Sequence, residues 1–100
     1  MDQEKVEISL GKLLPNILPD NVVDVAFDVR HTGPDEFKLY ALFACEDEYW
    51  KSLDQINKAA LLHDTKKKLR RKIKAYTNLN IEFDKDNTRM VNKTQFDRNK

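Results

Sequence analysis

One hundred residues suffice for one domain with its own core and no metal or disulfide staples, and 40% hydrophobic with 35% charged residues, 2 Gly and 3 Pro describe a globular chain with a heavily charged surface. The net charge of +1 hides a split: residues 1–50 carry 4 Lys/Arg against 11 Asp/Glu, residues 51–100 carry 14 against 6, which implies an anionic partner for the second half, pairing of opposite charges between molecules, or neutralisation across one fold. The single Cys45 excludes an internal disulfide and fits a reducing compartment, no apolar run approaches the ~18 residues of a membrane span, and the acidic, interrupted N-terminus is no secretion signal, so a cytoplasmic protein with no membrane partner is expected.

The N-terminal segment reads two ways. Val6, Leu10, Leu13, Leu14 and Ile17 fit helical spacing, whereas Val6, Ile8 and Leu10 fit a strand. Pro15 and Pro19 forbid one long unkinked helix over 5–20, and a short helix is the preferred reading. From Val22 to Arg30 the pattern changes. Val23, Val25, Phe27 and Val29 alternate with Asp24, Ala26 and Asp28, the two-residue period of a half-buried strand. The segment from His31 to Glu36 supplies turn chemistry, with Gly33 available for positive φ and Pro34 fixing its own. Phe37, Leu39, Ala41, Phe43 and Cys45 then restore the alternation, so an antiparallel hairpin is predicted. The opposite face of this second strand carries Lys38, Tyr40, Leu42 and Ala44, less polar than a fully wetted face, which implies partial cover.

Helix is expected from about Asp47, where Glu46, Asp47 and Glu48 favour the positive N-terminal end of the helix dipole. At ~100° per residue, Trp50, Leu53, Ile56 and Ala60 occupy one arc, and Leu62, Leu69, Ile73 and Tyr76 another about half a turn away. A straight helix on one sheet cannot bury both. The spacing predicts a break between Ala60 and Thr65, capped by Asp64 or Thr65; a continuous helix burying its halves against different partners is the alternative. The second part is dominated by cations: seven of the nine residues from Lys66 to Lys74 are basic, and Leu69 and Ile73 interrupt them at one-turn spacing. A basic tail needs no such rhythm. A helix resting on a core and presenting cations does. Lys67, Arg70, Arg71 and Lys74 fall opposite the apolar arc. Thr77 and Asn78 end the helix, and 79–84 alternates as a third strand. Residues 85–100 form a polar C-terminal tail, with only Met90, Val91 and Phe96 to bury, and composition alone makes it mobile. The predicted core is Val23, Val25, Phe27, Leu39, Phe43, Leu53, Leu69, Ile73, Ile81 and Phe83.

The expected fold is therefore α+β: a single domain over residues 1–84, with a short N-terminal helix and a three-stranded sheet, a hairpin plus the last strand, packed against a broken helix pair. Over residues 22–84 this order resembles the ribosome-binding factor A family, whose members have a type II KH topology. The resemblance is carried by the run 56–62, the basic segment 66–74 and the strand 78–84. Two departures stand out. The family's Ala-x-Gly interruption falls on Ala60-Leu61-Leu62, with Leu62 in place of the glycine, and the N-terminal segment is shorter and interrupted by proline. The resemblance implies contact with RNA or the ribosome through the basic second helix.

A KH domain that grips a single strand does so with a GXXG loop. That loop would fall on Leu61-Leu62-His63-Asp64, which has neither glycine, and Tyr40 is the only aromatic on the outward face of the hairpin. RNA binding would therefore be electrostatic and steeply salt-dependent, through Lys67, Arg70, Arg71 and Lys74. Catalytic readings fare poorly. Cys45 with His31 or His63 matches no justified nucleophile–base spacing, and the Glu46–Glu48 acids serve the helix dipole better than a metal. There is no Gly-rich phosphate loop. No catalytic residue, metal or cofactor is expected. Two functions remain: a non-enzymatic nucleic-acid-binding module, and a small self-associating structural or assembly protein, viral or from another large complex, whose acidic half meets a neighbour's basic half.

Overall fold

In a computed structural model, which describes residues 2–99, the chain is an α+β protein. Helix α1 (Gln3–Ile17) opens on Asp2, whose carboxylate accepts the Lys5 N–H at 2.9 Å, and the helical reading of the N-terminus holds. Pro15 lies in its last turn, where helix propagation is already ending, and α1 stops two residues later. Val6, Leu10, Leu14 and Ile17 form its buried stripe and rest on β1 (Val22–Gly33).

Strand β1 pairs antiparallel with β2 (Glu36–Cys45), as the alternation predicts. The turn is made differently from the expectation. Gly33 has no positive φ; Asp35 takes the left-handed conformation at φ 59°, following Pro34. Proline followed by a left-handed residue is the type II pattern, and Asp is among the few side chains that enter that region readily. A register shift between Val22 and Asp24 corrects the core as well. Val22 takes the inward place opposite Cys45, and Val23 is 50% exposed. Val25 and Phe27 are half-buried, while Phe37, Leu39, Ala41, Phe43 and Cys45 are sealed.

The helical segment does break, but not between Ala60 and Thr65. Helix α2 (Asp47–Ser52) ends at Leu53, and α3 (Gln55–Thr77) runs unbroken for 23 residues. Asp54 caps α3 by accepting the Asn57 N–H at 2.8 Å. The run from Ala59 to Leu62 consists of strong helix formers without Gly or Pro, so nothing local stops a helix there. Because α3 begins a new phase at Gln55, the arc shared by Trp50 and Leu53 is not continued: both are half-buried, and Ile56 is 80% exposed. The buried stripe of α3 is Thr65, Leu69 and Ile73, with Leu61 and Leu62 packed at its margin. Tyr76, assigned to the same arc, is exposed. Asn78 ends α3 in the left-handed conformation, its N–H donated to the Lys74 carbonyl at 2.9 Å.

Strand β3 (Asn80–Phe83) returns parallel to β2, the pairing a helical crossover requires. Residues beyond Asp84, where composition implies mobility, contribute β4 (Arg89–Asn92) and α4 (Lys93–Arg98). Strand β4 is also parallel to β2, from Leu42↔Arg89 to Cys45↔Asn92, whereas β3 takes Glu36 to Leu39. With β1 along one edge of β2, β3 and β4 share the other as one lane interrupted by the loop 84–88. Four strands thus occupy three lanes. Asp84 organises that loop, its carboxylate accepting the N–H groups of Asp86 and Asn87 and the Asn87 amide at 2.8 Å.

Helix α4 covers one end of the outer sheet face, the cover implied by Ala44. Lys93 donates to Asp24 at 3.0 Å, and Asp24, Ala44 and Val91 share that face by register. Phe96 and Ala44 are buried there, outside the main core. Thr94 ties α4 to α2: its N–H donates to Asp47 at 3.0 Å, and its hydroxyl donates to the same carboxylate. Among the described residues no helix is long and apolar enough to cross a membrane.

Candidate nucleic-acid interface

Leu69 and Ile73 are fully buried, and they fix the rotation of α3. With those two inward, Lys67, Arg70, Arg71 and Lys74 are all exposed, as the helical spacing predicts. Helix α3 lies along β3. The face is therefore a helix-and-strand edge rather than an isolated helix surface. The Arg70 guanidinium reaches Glu82 of β3 at 3.1 Å, and the Lys74 ammonium donates to the Asn78 carbonyl at 3.2 Å. Lys67, Arg71 and Lys74 meet no carboxylate among the described residues.

Two open grooves flank this line of cations. In one, of about 390 Å³, Arg70, Arg71 and Lys74 face Leu79 and the β3 residues Asn80, Ile81 and Glu82. The other is larger, about 730 Å³, and joins Lys67 and Arg70 to His63 and Lys66 of α3, Lys38 of β2, and Lys85 beyond β3. Arg70 belongs to both. The four residues singled out in the sequence are thus brought together, and the chain adds Lys38, His63 and Lys85 to them. Lys38 was legible only through topology. The parallel crossover sets Lys38 opposite Glu82, and no linear pattern joins a residue of β2 to a helix some thirty positions on. Lys85 lacks any periodic signal, because it sits in a loop.

Acids share the larger groove. Glu82 holds Arg70, and Asp84 lies 3.7 Å from Lys38. The Asn87 amide, then the N–H groups of Asn87 and Asp86 and the charge of Lys38, hold the Asp84 carboxyl below the usual carboxylate range. It stays ionised and committed to its loop. On the outer sheet face the Arg30 guanidinium already covers Tyr40, 4.9 Å from the ring centroid, so the one outward aromatic is not a free stacking platform.

Of the residues considered for catalysis, His63 lines the larger groove, and the others lie apart from this edge. Cys45 is fully buried in the sheet. Burial, and then the charges of Glu46 and Asp47, push its thiol up from its ordinary value, which disfavours the thiolate that nucleophilic chemistry needs. His31 is stacked on Phe37 at 4.6 Å. Glu46 accepts the N–H groups of Glu48 and Tyr49 as the cap of α2, and Asp47 holds Thr94. Among the described residues, no group of three or more His, Cys, Asp and Glu side chains is placed to hold a metal ion. No protein-family model, curated protein or solved structure matches this chain.

Proposed function

We propose that this chain is a non-enzymatic nucleic-acid-binding module that sets the α3–β3 edge against RNA phosphates. One observation carries the reading: Lys67, Arg70, Arg71 and Lys74 stand on one side of a helix locked to the core by Leu69 and Ile73, and of the four only Arg70 is held by a carboxylate among the described residues. Cations fixed to a rigid helix, three of the four outside any ion pair among the described residues, suit a polyanion, because little backbone ordering remains to be done on binding. The resemblance to the ribosome-binding factor A family points to RNA of the ribosome, in the cytoplasm, as the partner. That likeness spans residues 22–84, with its strongest part in 56–84, and α3 runs straight through the position of the family's interruption.

The test is RNA affinity at two salt concentrations. Replacing Arg70 and Arg71 with Gln should weaken binding across all sequences alike and flatten the slope of log affinity against log salt by roughly 0.7–0.9 for each phosphate released. The fold should persist, since both side chains point away from Leu69 and Ile73. Absence of RNA binding at low salt defeats the reading.

A second reading, a self-associating assembly protein, is favoured by the first half of α3. No side chain from Gln55 to Asp64 is fully buried, and Ile56 is 80% exposed. If self-association is the function, the Arg70/Arg71 variant dissociates an oligomer in sedimentation and leaves any RNA affinity untouched.

A further inference from the structure

The larger groove differs from a simple phosphate site. Five certain cations line it, Lys38, Lys66, Lys67, Arg70 and Lys85, but so do Glu82, Asp84 and Asp86. Three carboxylates repel a bare anion. They do not repel a ligand that joins an anionic group to hydrogen-bond donors. A ribonucleotide is such a ligand: its phosphate takes ammonium groups, and its sugar hydroxyls and base amino groups donate to carboxylates. The pattern of partners agrees. Lys66, Lys67 and Lys85 form no ion pair among the described residues, so three cations converge from two segments with no carboxylate satisfying them. The open groove, of about 730 Å³, has room for a small ligand, and the nearly buried Phe83 contributes to its wall.

We infer that one nucleotide unit of single-stranded RNA enters this groove, with its phosphate among Lys66, Lys67, Lys38 and Lys85 and its donors toward Glu82 and Asp86. The inference rests on the nucleic-acid reading above and sharpens it. A duplex presents its phosphates on a convex surface and keeps its nucleotides stacked, so it can meet the outer cations Arg71 and Lys74 but cannot seat a nucleotide in the groove. Selection of single strands over duplexes then comes from groove residues off the exposed helix face.

The experiment titrates a short mixed-sequence single-stranded RNA, and a duplex of the same length, into the full chain by fluorescence anisotropy over a range of salt. Lys38→Gln with Lys85→Gln should lower the single-strand salt slope by up to roughly 0.7, the share of the one seated phosphate, and leave the duplex slope unchanged. Arg71→Gln with Lys74→Gln should lower both. Lys85 forms no ion pair among the described residues, so Lys85→Gln alone keeps the test valid if the change at Lys38 disturbs the loop. Two results overturn the groove while leaving RNA binding intact: the Lys38/Lys85 variant binds single strands as the wild type does, or it loses single-strand and duplex affinity equally. Failure of the wild type to bind either RNA at low salt overturns both inferences together.

Discussion

Replacing Phe96 with Ala tests whether the polar C-terminal segment belongs to the domain. Phe96 is 2% exposed and is the only buried residue of α4. In a rigid core, Phe→Ala costs about 3–5 kcal/mol, because a cavity is added to the missing transfer energy. Here the cavity term should vanish. A six-residue helix held otherwise by Thr94 on Asp47 and Lys93 on Asp24 is free to leave. The cost therefore stops near the transfer energy of one large side chain, about 2–3 kcal/mol. For a chain of this size that corresponds to a fall in Tm of roughly 10–20 °C. Urea denaturation gives the energy, and hydrogen exchange gives its place: α4 amides should lose protection in the variant while β2 amides keep theirs. A change below about 0.5 kcal/mol, the ordinary surface range, with α4 amides still protected, would refute the reasoning.

The rotation of α3 is checked by a pair of substitutions. Leu69→Ala should cost about 2–5 kcal/mol as a sealed core position, whereas Ile56→Lys should fall within about 0.5 kcal/mol; denaturant midpoints that reversed this order would mean the wrong face is buried. The helix boundary rests on Asp54, so Asp54→Ala should destabilise by about 1 kcal/mol, and Asp64→Ala, within a continuous helix, should not. Acid should loosen the α2–α4 tie. Thr94, through its hydroxyl and then its N–H, holds the Asp47 carboxyl below its ordinary value, so this stabilisation is complete above the unfolded value of about 3.9 and is lost as pH falls through the lower folded one. Thermal midpoints of wild type and Asp47→Asn should thus differ at neutral pH and converge in strong acid; a constant gap would contradict the assignment.

The parts of the fold that depend on local periodicity were legible in the sequence. The hairpin, the third strand, the helix ending at Asn78 and the outward turn of Lys67, Arg70, Arg71 and Lys74 all follow from spacings of two or of about 3.6. Where the structure departs, a non-periodic feature intervened. One bulge at Val22–Asp24 exchanged Val22 for Val23 in the core. The helical segment does break, but earlier than its apolar arcs imply: Leu53 is extended and Asp54 caps α3, while Asp64 and Thr65, the caps expected from the sequence, lie inside the helix. The C-terminal segment misled composition because its apolar burial is concentrated in Met90 and Phe96, and parallel pairing with β2 supplies the rest. The groove was illegible for a similar reason, since Lys38 and Lys85 reach α3 only through the parallel crossover.

The most direct test of the central claim maps the binding surface. Backbone amide shifts of the isotopically labelled chain, followed during titration with single-stranded RNA, should move along 66–74, in β3, and at Lys38 and Lys85, and should return toward their free positions as salt is raised. Shifts confined to the first half of α3 around Ile56, or to β1, or no shifts at low salt, would contradict it.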